Sequence, residues 1–323
     1  MSYAYLNARV RNRRSQVVPD SWYQQALNLP FPDFVRSLGD TIYGPDLQGD
    51  TLADVDRAIA NHMRRTVADL PGLVTGSNRE AVGLLLLQSD LTNLKAILRG
   101  KAAGTAPEDI KTKLVGGTLP EVLVNAMLQA PDAQSVAQVL QLPTHPLAKA
   151  LRNAVVGNSD PLSVEVALDR DFFAYSLEKA RRLRQPALAS YFVMQVDATN
   201  LSTAFKLQGQ NVSGVETYFV PGGSVVNQVL FSRIAGGDSG AMEALANTAL
   251  AGASSARNLG DLERALRRIL MDKAAQGGKD ALGAGLALDY IRKKEWEGSR
   301  IRLLARRAYF NLPADAVAKE VSL

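Results

Sequence analysis

The amino-acid sequence predicts an all-α protein, and three observations carry that prediction. Apolar residues recur at the three- and four-residue spacing of helices, and in REAVGLLLLQSDLTNLKAILRGK one such stripe consists of Leu87, Leu91, Leu94 and Leu98. The alternation typical of strands is scarce, since its best example, TYFV at 217–220, runs into a Pro-Gly turn. Several motifs also recur at intervals near 100 residues, which indicates a repeated structural unit.

Short polar residues and glycines predict where the helices begin and end. Thr118 precedes Glu121 by three residues, the spacing of a capping box, and the helix that carries the leucine stripe is expected to end near Gly100 and Gly104. Two further helices are expected at about Tyr3 to Arg14 and about Ala281 to Tyr309, and we expect them to pack together. The predicted helix starts are Asp20-Ser21, Thr51, Thr118, Asp132, Ser224 and Asp238.

One twelve-residue pattern occurs twice. Residues 90–101 read DLTNLKAILRGK and residues 197–208 read DATNLSTAFKLQ, so that Asp, Asn and Leu keep their spacing and a base stands at the tenth position. In a helix, Asp90 and Asn93 lie one turn apart, beside the leucine stripe, where they can bond to a neighbouring helix or loop. We therefore interpret the repeated pattern as structural rather than catalytic.

Other landmarks extend the repeat to three copies. Val115-Gly116-Gly117-Thr118 returns as Pro221-Gly222-Gly223-Ser224, with a looser first copy at Ser21, and an acid-x-Ala-Ile/Leu pattern begins at Asp56, Glu165 and Glu263. A degenerate third copy of the twelve-residue pattern has Glu297, Arg300, Ile301 and Arg306. The predicted units are an N-terminal helix at 1–18 and helical repeats at 19–115, 116–221 and 222–323. Three such bundles form either a curved array or a closed pseudo-threefold ring.

Composition limits the classes of protein to which the chain can belong. The 323 residues are 46% apolar, enough for two or three units, and the absence of cysteine excludes disulfides and thiolate metal sites. The N-terminus has no apolar signal region, and the longest apolar run, at 81–87, falls far short of the roughly 20 residues of a membrane span. A cytoplasmic location is therefore expected.

The net charge of +5 suits an acidic partner, although the bases are mixed with acids along helix faces. Asp90, Lys95 and Arg99 are accordingly expected to lie on a solvated face. Aromatic residues make up only 6% of the chain, so a stacking platform for single-stranded nucleic acid is not indicated.

A search for catalytic chemistry finds no candidate. The chain has no G-x-x-x-x-G-K-[ST] phosphate loop, and neither His62 nor His145 has a second histidine at metal-ligand spacing. Glu295-Trp296-Glu297 is expected to be a solvated face around a buried Trp296, and the Gly-Gly turns are expected to reverse the chain rather than bind an anion. We therefore expect no catalytic, cofactor-binding or metal-binding residues, and no cofactor.

Three segments resemble a known family. YAYLNARVRNRR at 3–14, VDATNLSTAFKLQG at 196–209 and EWEGSRIRLLARRAYFNLP at 295–313 are similar to signatures of the C subunits of archaeal and bacterial V/A-type ATPases, which are relatives of the eukaryotic d subunit. The resemblance runs from Tyr3 to about Ala318, although the third copy of the Asp-x-x-Asn pattern is written Glu-x-x-Arg.

The resemblance implies three similar bundles that form a funnel around a central cavity, in a protein that is not an enzyme. It implies a peripheral position on the cytoplasmic face of the membrane, within the ATPase complex, as a rotor adaptor. The implied partners are the central stalk subunits and the proteolipid ring, and the resemblance also allows a contact with the membrane stator subunit. Torque would pass through the chain for proton or sodium transport coupled to ATP synthesis or hydrolysis. The alternative is a basic all-helical scaffold that binds nucleic acid or another acidic partner.

Overall fold

The computed structural model describes residues 2–141, 145–157, 160–210, 212–238, 240–280 and 282–321, and over these residues the protein is all-helical. The first eight α-helices are α1 (Tyr3–Arg14), α2 (Asp20–Ala26), α3 (Phe31–Gly39), α4 (Leu52–Thr66), α5 (Ser77–Ala102), α6 (Pro107–Lys111), α7 (Glu121–Gln129) and α8 (Ala133–Gln141). The others are α9 (Ala148–Gly157), α10 (Pro161–Arg182), α11 (Pro186–Leu207), α12 (Gln228–Ala235), α13 (Leu259–Gly277), α14 (Gly285–Tyr309) and α15 (Ala314–Val321).

The predicted fold class is confirmed. The helix of the leucine stripe, α5, ends at Ala102, close to the predicted glycines. The strand-like segment TYFV begins inside a short 3₁₀ helix at Val215–Tyr218 and continues as loop, and no strand occurs among the residues that the structure describes. The predicted start of the last long helix, Ala281, lies outside the described residues, and the observed helix begins at Gly285.

Two compact units make up the chain. Unit 1 consists of residues 1–96, 105–119 and 281–323, and unit 2 of residues 97–104 and 120–280. The division into three repeats, with the boundaries given above, stays a prediction.

Unit 1 is built around α14. This helix contacts α1, α2, α3, α4 and α15, and its buried residues include not only apolar side chains but also Asp289, Arg292, Lys294 and Glu297. Ionisable side chains are rarely buried unless they are paired, so these four indicate a polar network inside the unit.

Unit 2 is built around α11. This helix packs against α10, α12 and α13, while α7, α8 and α9 follow one another in contact and join α10 through α9. Leu201, Phe231, Ile234 and Leu262, all fully buried, belong to one apolar cluster between α11, α12 and α13. Burial of such side chains supplies about 1.5–3 kcal/mol each.

Within the described part of the chain, α5 alone passes a test of length and composition for a membrane span. Its most apolar window has a mean hydropathy of 1.3, but 72% of that window is buried inside the protein. The helix is thus largely covered by other parts of the chain.

Helix capping follows the prediction at some positions and not at others. Thr51 and Asp54 form a reciprocal capping box at the start of α4, and the Asp132 carboxylate accepts the Ser135 N–H at the start of α8. The prediction was wrong for Thr118 and Ser224, because α7 begins only at Glu121 and α12 at Gln228. The two hydroxyl residues have another partner.

Candidate functional site

Asp90 and Asn93, one turn apart on α5, bind the loop at 115–119, and we call this arrangement the first clamp. The Asp90 carboxylate is fully buried; its Oδ1 accepts the N–H of Thr118 at 2.8 Å and that of Leu119 at 3.3 Å, and its Oδ2 accepts the Thr118 hydroxyl. Asn93 accepts the Val115 N–H and donates to the Val115 carbonyl, both at 2.8 Å. The expectation that Asp90 is solvated was wrong.

The second clamp repeats this geometry on α11. The buried Asp197 accepts the N–H groups of Ser224, Val225 and Val226 at 3.0, 3.0 and 2.8 Å. Asn200 exchanges two 2.8 Å hydrogen bonds with the backbone of Val220. The repeated twelve-residue pattern is thus explained by the loop that each copy holds.

The second glycine of each Gly-Gly pair, Gly117 or Gly223, is required for room rather than for backbone conformation. A Cβ at Gly117 would lie 2.0 Å from Asp90 Oδ1, and one at Gly223 would lie 2.2 Å from Asp197 Oδ1. Neither glycine has a positive φ, so its hydrogen is what lets the carboxylate approach the amides. The Gly-Gly turns therefore do bind an anion, and the anion is the protein's own side chain.

The third clamp lies on α14 and is chemically different. Glu297, 2% exposed, accepts the N–H of Val18 at 2.8 Å and the hydroxyl of Tyr43 at 2.7 Å, and it pairs with the buried ammonium of Lys294. The segment before Val18 contains no glycine, and its carboxylate partner is a Glu rather than an Asp. The expectation of a solvated Glu297 was wrong, whereas Trp296 is buried as expected.

Arg300 takes the position that Asn93 and Asn200 hold in the other clamps. Its guanidinium pairs with Asp20 at 3.1 Å and lies 3.7 Å from the centre of the Tyr23 ring, a cation–π contact. Both partners belong to α2, so the third clamp fixes the beginning of the chain's second helix.

The three clamps share one rule of connectivity: a long helix binds the loop that precedes a later or earlier helix. Helix α5 binds the loop before α7, α11 binds the loop before α12, and α14 binds the segment before α2. Because Val18 and Glu297 are separated by 279 positions, this last contact joins a segment near the start of the chain to α14.

Burial shifts the pKa values of the groups around the third clamp. Burial lowers the pKa of Lys294, and the adjacent Glu297 opposes that shift. Burial and Glu297 together raise the pKa of Tyr43. Burial, with the charge of Lys294, lowers the pKa of His62 from 6.5 to about 4, although Asp46 lies 3.4 Å from its Nδ1. His62 is therefore neutral at pH 7.

The described residues hold no cluster of three His, Asp or Glu side chains that could bind a metal ion. Nδ1 of His145 accepts the Leu147 N–H at 3.2 Å, and Glu295 pairs with Arg292 at 2.8 Å. Glu295 and Glu297 thus have different partners, as residues two apart on a helix should. The prediction that these positions carry no catalytic, cofactor or metal role stays a prediction.

The described part of the chain is thus an all-helical protein in which buried carboxylates on three long helices bind the backbone of distant segments. The chain belongs to the ATP synthase (C/AC39) subunit family, which it matches over residues 6–320. It is 47% identical over 319 residues to the C subunit of the V-type ATP synthase of Thermus thermophilus, with 99% of this chain and 98% of the relative covered. Identity to the C subunit of the Deinococcus radiodurans V-type ATP synthase is 32% (99% and 91% covered), and to that of the Haloferax volcanii A-type ATP synthase 25% (98% and 96% covered).

Proposed function

We propose that this chain is the non-catalytic rotor adaptor of a V/A-type ATPase or ATP synthase. In this role it joins the central rotating stalk to the proteolipid ring at the cytoplasmic face of the membrane, and it transmits torque for proton or sodium transport. The relatives' names, as C subunits of V-type and A-type ATP synthases, support membership of such a complex. The division into three bundles around a central cavity, and a contact with the membrane stator subunit, belong to the same proposal.

The observation that carries the proposal is the set of three clamps, in which buried carboxylates bind backbone amides of distant segments. A torque coupler must resist twisting, and a well-packed helical core deforms in discrete steps rather than continuously. Each clamp adds hydrogen bonds to a buried carboxylate, which contribute about 1.5–3 kcal/mol each. The third clamp also ties a segment near the start of the chain to α14.

The clamps also support a non-catalytic role. Free N–H groups of a Gly-rich loop are what a phosphate-binding site requires. In this chain, the amide N–H groups that follow Gly117 and Gly223 already donate hydrogen bonds to the carboxylates of Asp90 and Asp197. We therefore expect that the purified chain binds no ATP in calorimetry, and stoichiometric binding would contradict the proposal.

The coupling role is tested in liposomes that contain the ATP synthase depleted of this chain. ATP hydrolysis and ion uptake are measured together, before and after the chain is added back. We expect hydrolysis without uptake in the depleted complex and restored uptake after addition. Uptake that is equal with and without the chain would refute the adaptor role. Tight retention of nucleic acid in a mobility shift at about 150 mM salt would favour the scaffold alternative instead.

A further inference from the structure

The turn between α10 and α11 concentrates positive charge. Residues 179–196 contain four bases, Lys179, Arg181, Arg182 and Arg184, and no acidic residue. The three arginines are exposed, and their side chains form no hydrogen bond or ion pair with any residue that the structure describes. We call Arg181, Arg182 and Arg184 the basic turn. Polar side-chain contacts within unit 2 do not explain its charge.

Arg184 occupies a backbone position that ordinarily favours glycine. Its φ angle is 54°, in the left-handed region, where side chains other than those of Gly and Asn are disfavoured. The Gln185 N–H donates to the Ala180 carbonyl and the Arg184 N–H to the Arg181 carbonyl, both at 2.9 Å, which is the Schellman pattern that ends a helix. A glycine at position 184 would form the same turn without strain, so the turn itself does not require an arginine.

The helix dipole accounts for only part of the charge. Arg181 and Arg182 lie in the last turn of α10, where cations interact favourably with the unpaired carbonyl groups, whereas Arg184 lies beyond the end of the helix. Successive residues of a helix are about 100° apart, so the side chains of Arg181 and Arg182 diverge around the end of α10. Diverging guanidinium groups do not converge on one carboxylate. They match a surface on which many anions lie side by side.

We propose that the basic turn binds the anionic head groups of a phospholipid bilayer. Such a surface attracts clustered Lys and Arg, and each base improves binding by about fivefold, so three together give about 100-fold. Guanidinium groups also donate in pairs to phosphate oxygens. Residues 179–190 contain no aromatic side chain on which a nucleic-acid base could stack, which favours lipid over single-stranded nucleic acid. Lipid binding of this kind goes beyond the adaptor role, which requires no contact with lipid, and does not depend on it.

The test measures sedimentation of the full-length chain with vesicles of phosphatidylcholine alone and with mixed vesicles of phosphatidylcholine and phosphatidylserine, at about 150 mM salt. Arg181→Gln/Arg182→Gln/Arg184→Gly removes the basic turn. Arg184→Gly alone removes one charge and the left-handed strain together. Neither variant should lower the melting temperature, since no side-chain contact within the described chain is lost.

Arg11→Gln/Arg79→Gln/Arg257→Gln is the matched control. It removes the same net charge from three separate segments, and its arginines are also exposed and without a side-chain partner among the described residues. The control therefore separates the position of the charge from its amount.

We expect the wild-type chain to bind the mixed vesicles and not those of phosphatidylcholine alone. Loss of the basic turn should raise the apparent Kd for the mixed vesicles by about 100-fold, and Arg184→Gly alone should raise it by about fivefold. The control should stay within about threefold of the wild type, because scattered charges lie too far apart to act on one surface together. Soluble glycerophosphoserine should not compete, since a single head group engages only one of the diverging arginines.

Four results would overturn the proposal. The first is wild-type binding that is absent or equal for the two kinds of vesicle, and the second is an equal loss in the control and in the variant without the basic turn. The third is competition by glycerophosphoserine, which would indicate a pocket for a single anion. The fourth is unchanged vesicle binding of the variant together with weaker binding to nucleic acid or to the depleted ATP synthase, which would assign the turn to that partner. The adaptor role stands in each case, because ion uptake in reconstituted liposomes tests it separately.

Discussion

Replacing Gly117 with alanine places a methyl group where the first clamp needs space. The added Cβ would lie 2.0 Å from Asp90 Oδ1 and 3.1 Å from its Cγ, and contacts under 3.0 Å are not tolerated. Because the φ angle of Gly117 is not positive, alanine introduces no backbone strain there. The Asp90 carboxylate must therefore move away from the amides of Thr118 and Leu119.

The expected loss follows from the hydrogen bonds that Asp90 makes. Hydrogen bonds to a charged group contribute about 1.5–3 kcal/mol each, and a displaced carboxylate gives up one or two of them in a buried position. We expect the free energy of unfolding of unit 1 to fall by about 3 kcal/mol. For a unit of this size, that corresponds to a melting temperature lower by about 6–12 °C.

Tryptophan fluorescence reports on this unit alone, because the chain's two tryptophans, Trp22 and Trp296, both belong to unit 1. Gly83→Ala is the matched control: Gly83 lies within α5, and a Cβ there meets nothing within 4 Å. The control should keep or slightly raise stability, by roughly 0.5–1 kcal/mol.

A double-mutant cycle isolates the cause. In an Asp90→Ala background the oxygen that collides with the new methyl group is absent, so Gly117→Ala should cost less than about 0.5 kcal/mol. An equal cost in both backgrounds would refute the steric explanation of the Gly-Gly loop.

Three further predictions concern unit 1. The folded-state pKa of His62, about 4, lies below its ordinary value of 6.5. The unfolded chain therefore binds the proton first, and the stability of the folded chain falls as the pH drops from about 6.5 to about 4. His62→Gln should reduce the change in melting temperature between pH 7 and pH 5, and an unchanged pH dependence would contradict this. Tyr43→Phe removes the hydroxyl that donates to Glu297 and should cost about 1–2 kcal/mol in urea unfolding, whereas Arg36→Ala, which breaks an exposed ion pair with Asp33, should cost less than about 0.5 kcal/mol. Deletion of residues 1–14 removes the buried Leu6 and Val10 and should lower the melting temperature by several degrees, so an unchanged thermal transition would show that α1 does not stabilise the unit.

The prediction from sequence was most accurate where the determining interactions are local. Three accurate predictions were the helix Tyr3–Arg14, the end of α5 and the helix start at Thr51. They depend on apolar spacing and on side chains within four residues of one another. The wrong helix starts at Thr118 and Ser224 have a common reason. The hydroxyl and amide of each residue bind a carboxylate 27 or 28 positions earlier in the chain, Asp90 or Asp197, instead of capping a helix.

A signal for the clamps was nevertheless present in the sequence. Two copies of Asp-x-x-Asn each precede a Gly-Gly-Thr or Gly-Gly-Ser loop, by almost the same number of residues. Glycines beside loop amides leave room for a hydrogen-bond acceptor to approach them closely. The repeated Asp was the candidate acceptor, because it stands at nearly the same sequence separation from both Gly-Gly pairs. For the third clamp the sequence showed only the degenerate copy at Glu297 and Arg300; no Gly-Gly loop marked its partner Val18, which stands near the opposite end of the chain.

The sequence by itself determined the all-helical class, the recurrence of one pattern and the residue types that a clamp needs, because helical periodicity and repetition are written in neighbouring positions. Only the tertiary structure decided which side chains became buried. Asp90, Asp197 and Glu297 are charged residues on helices, and by composition alone each belongs on a solvated face. Their burial is stable because folding brings backbone N–H groups and hydroxyls within 2.7–3.3 Å of their oxygens. Those donors come from distant segments, so the desolvation of each carboxylate is offset only once the packed units exist.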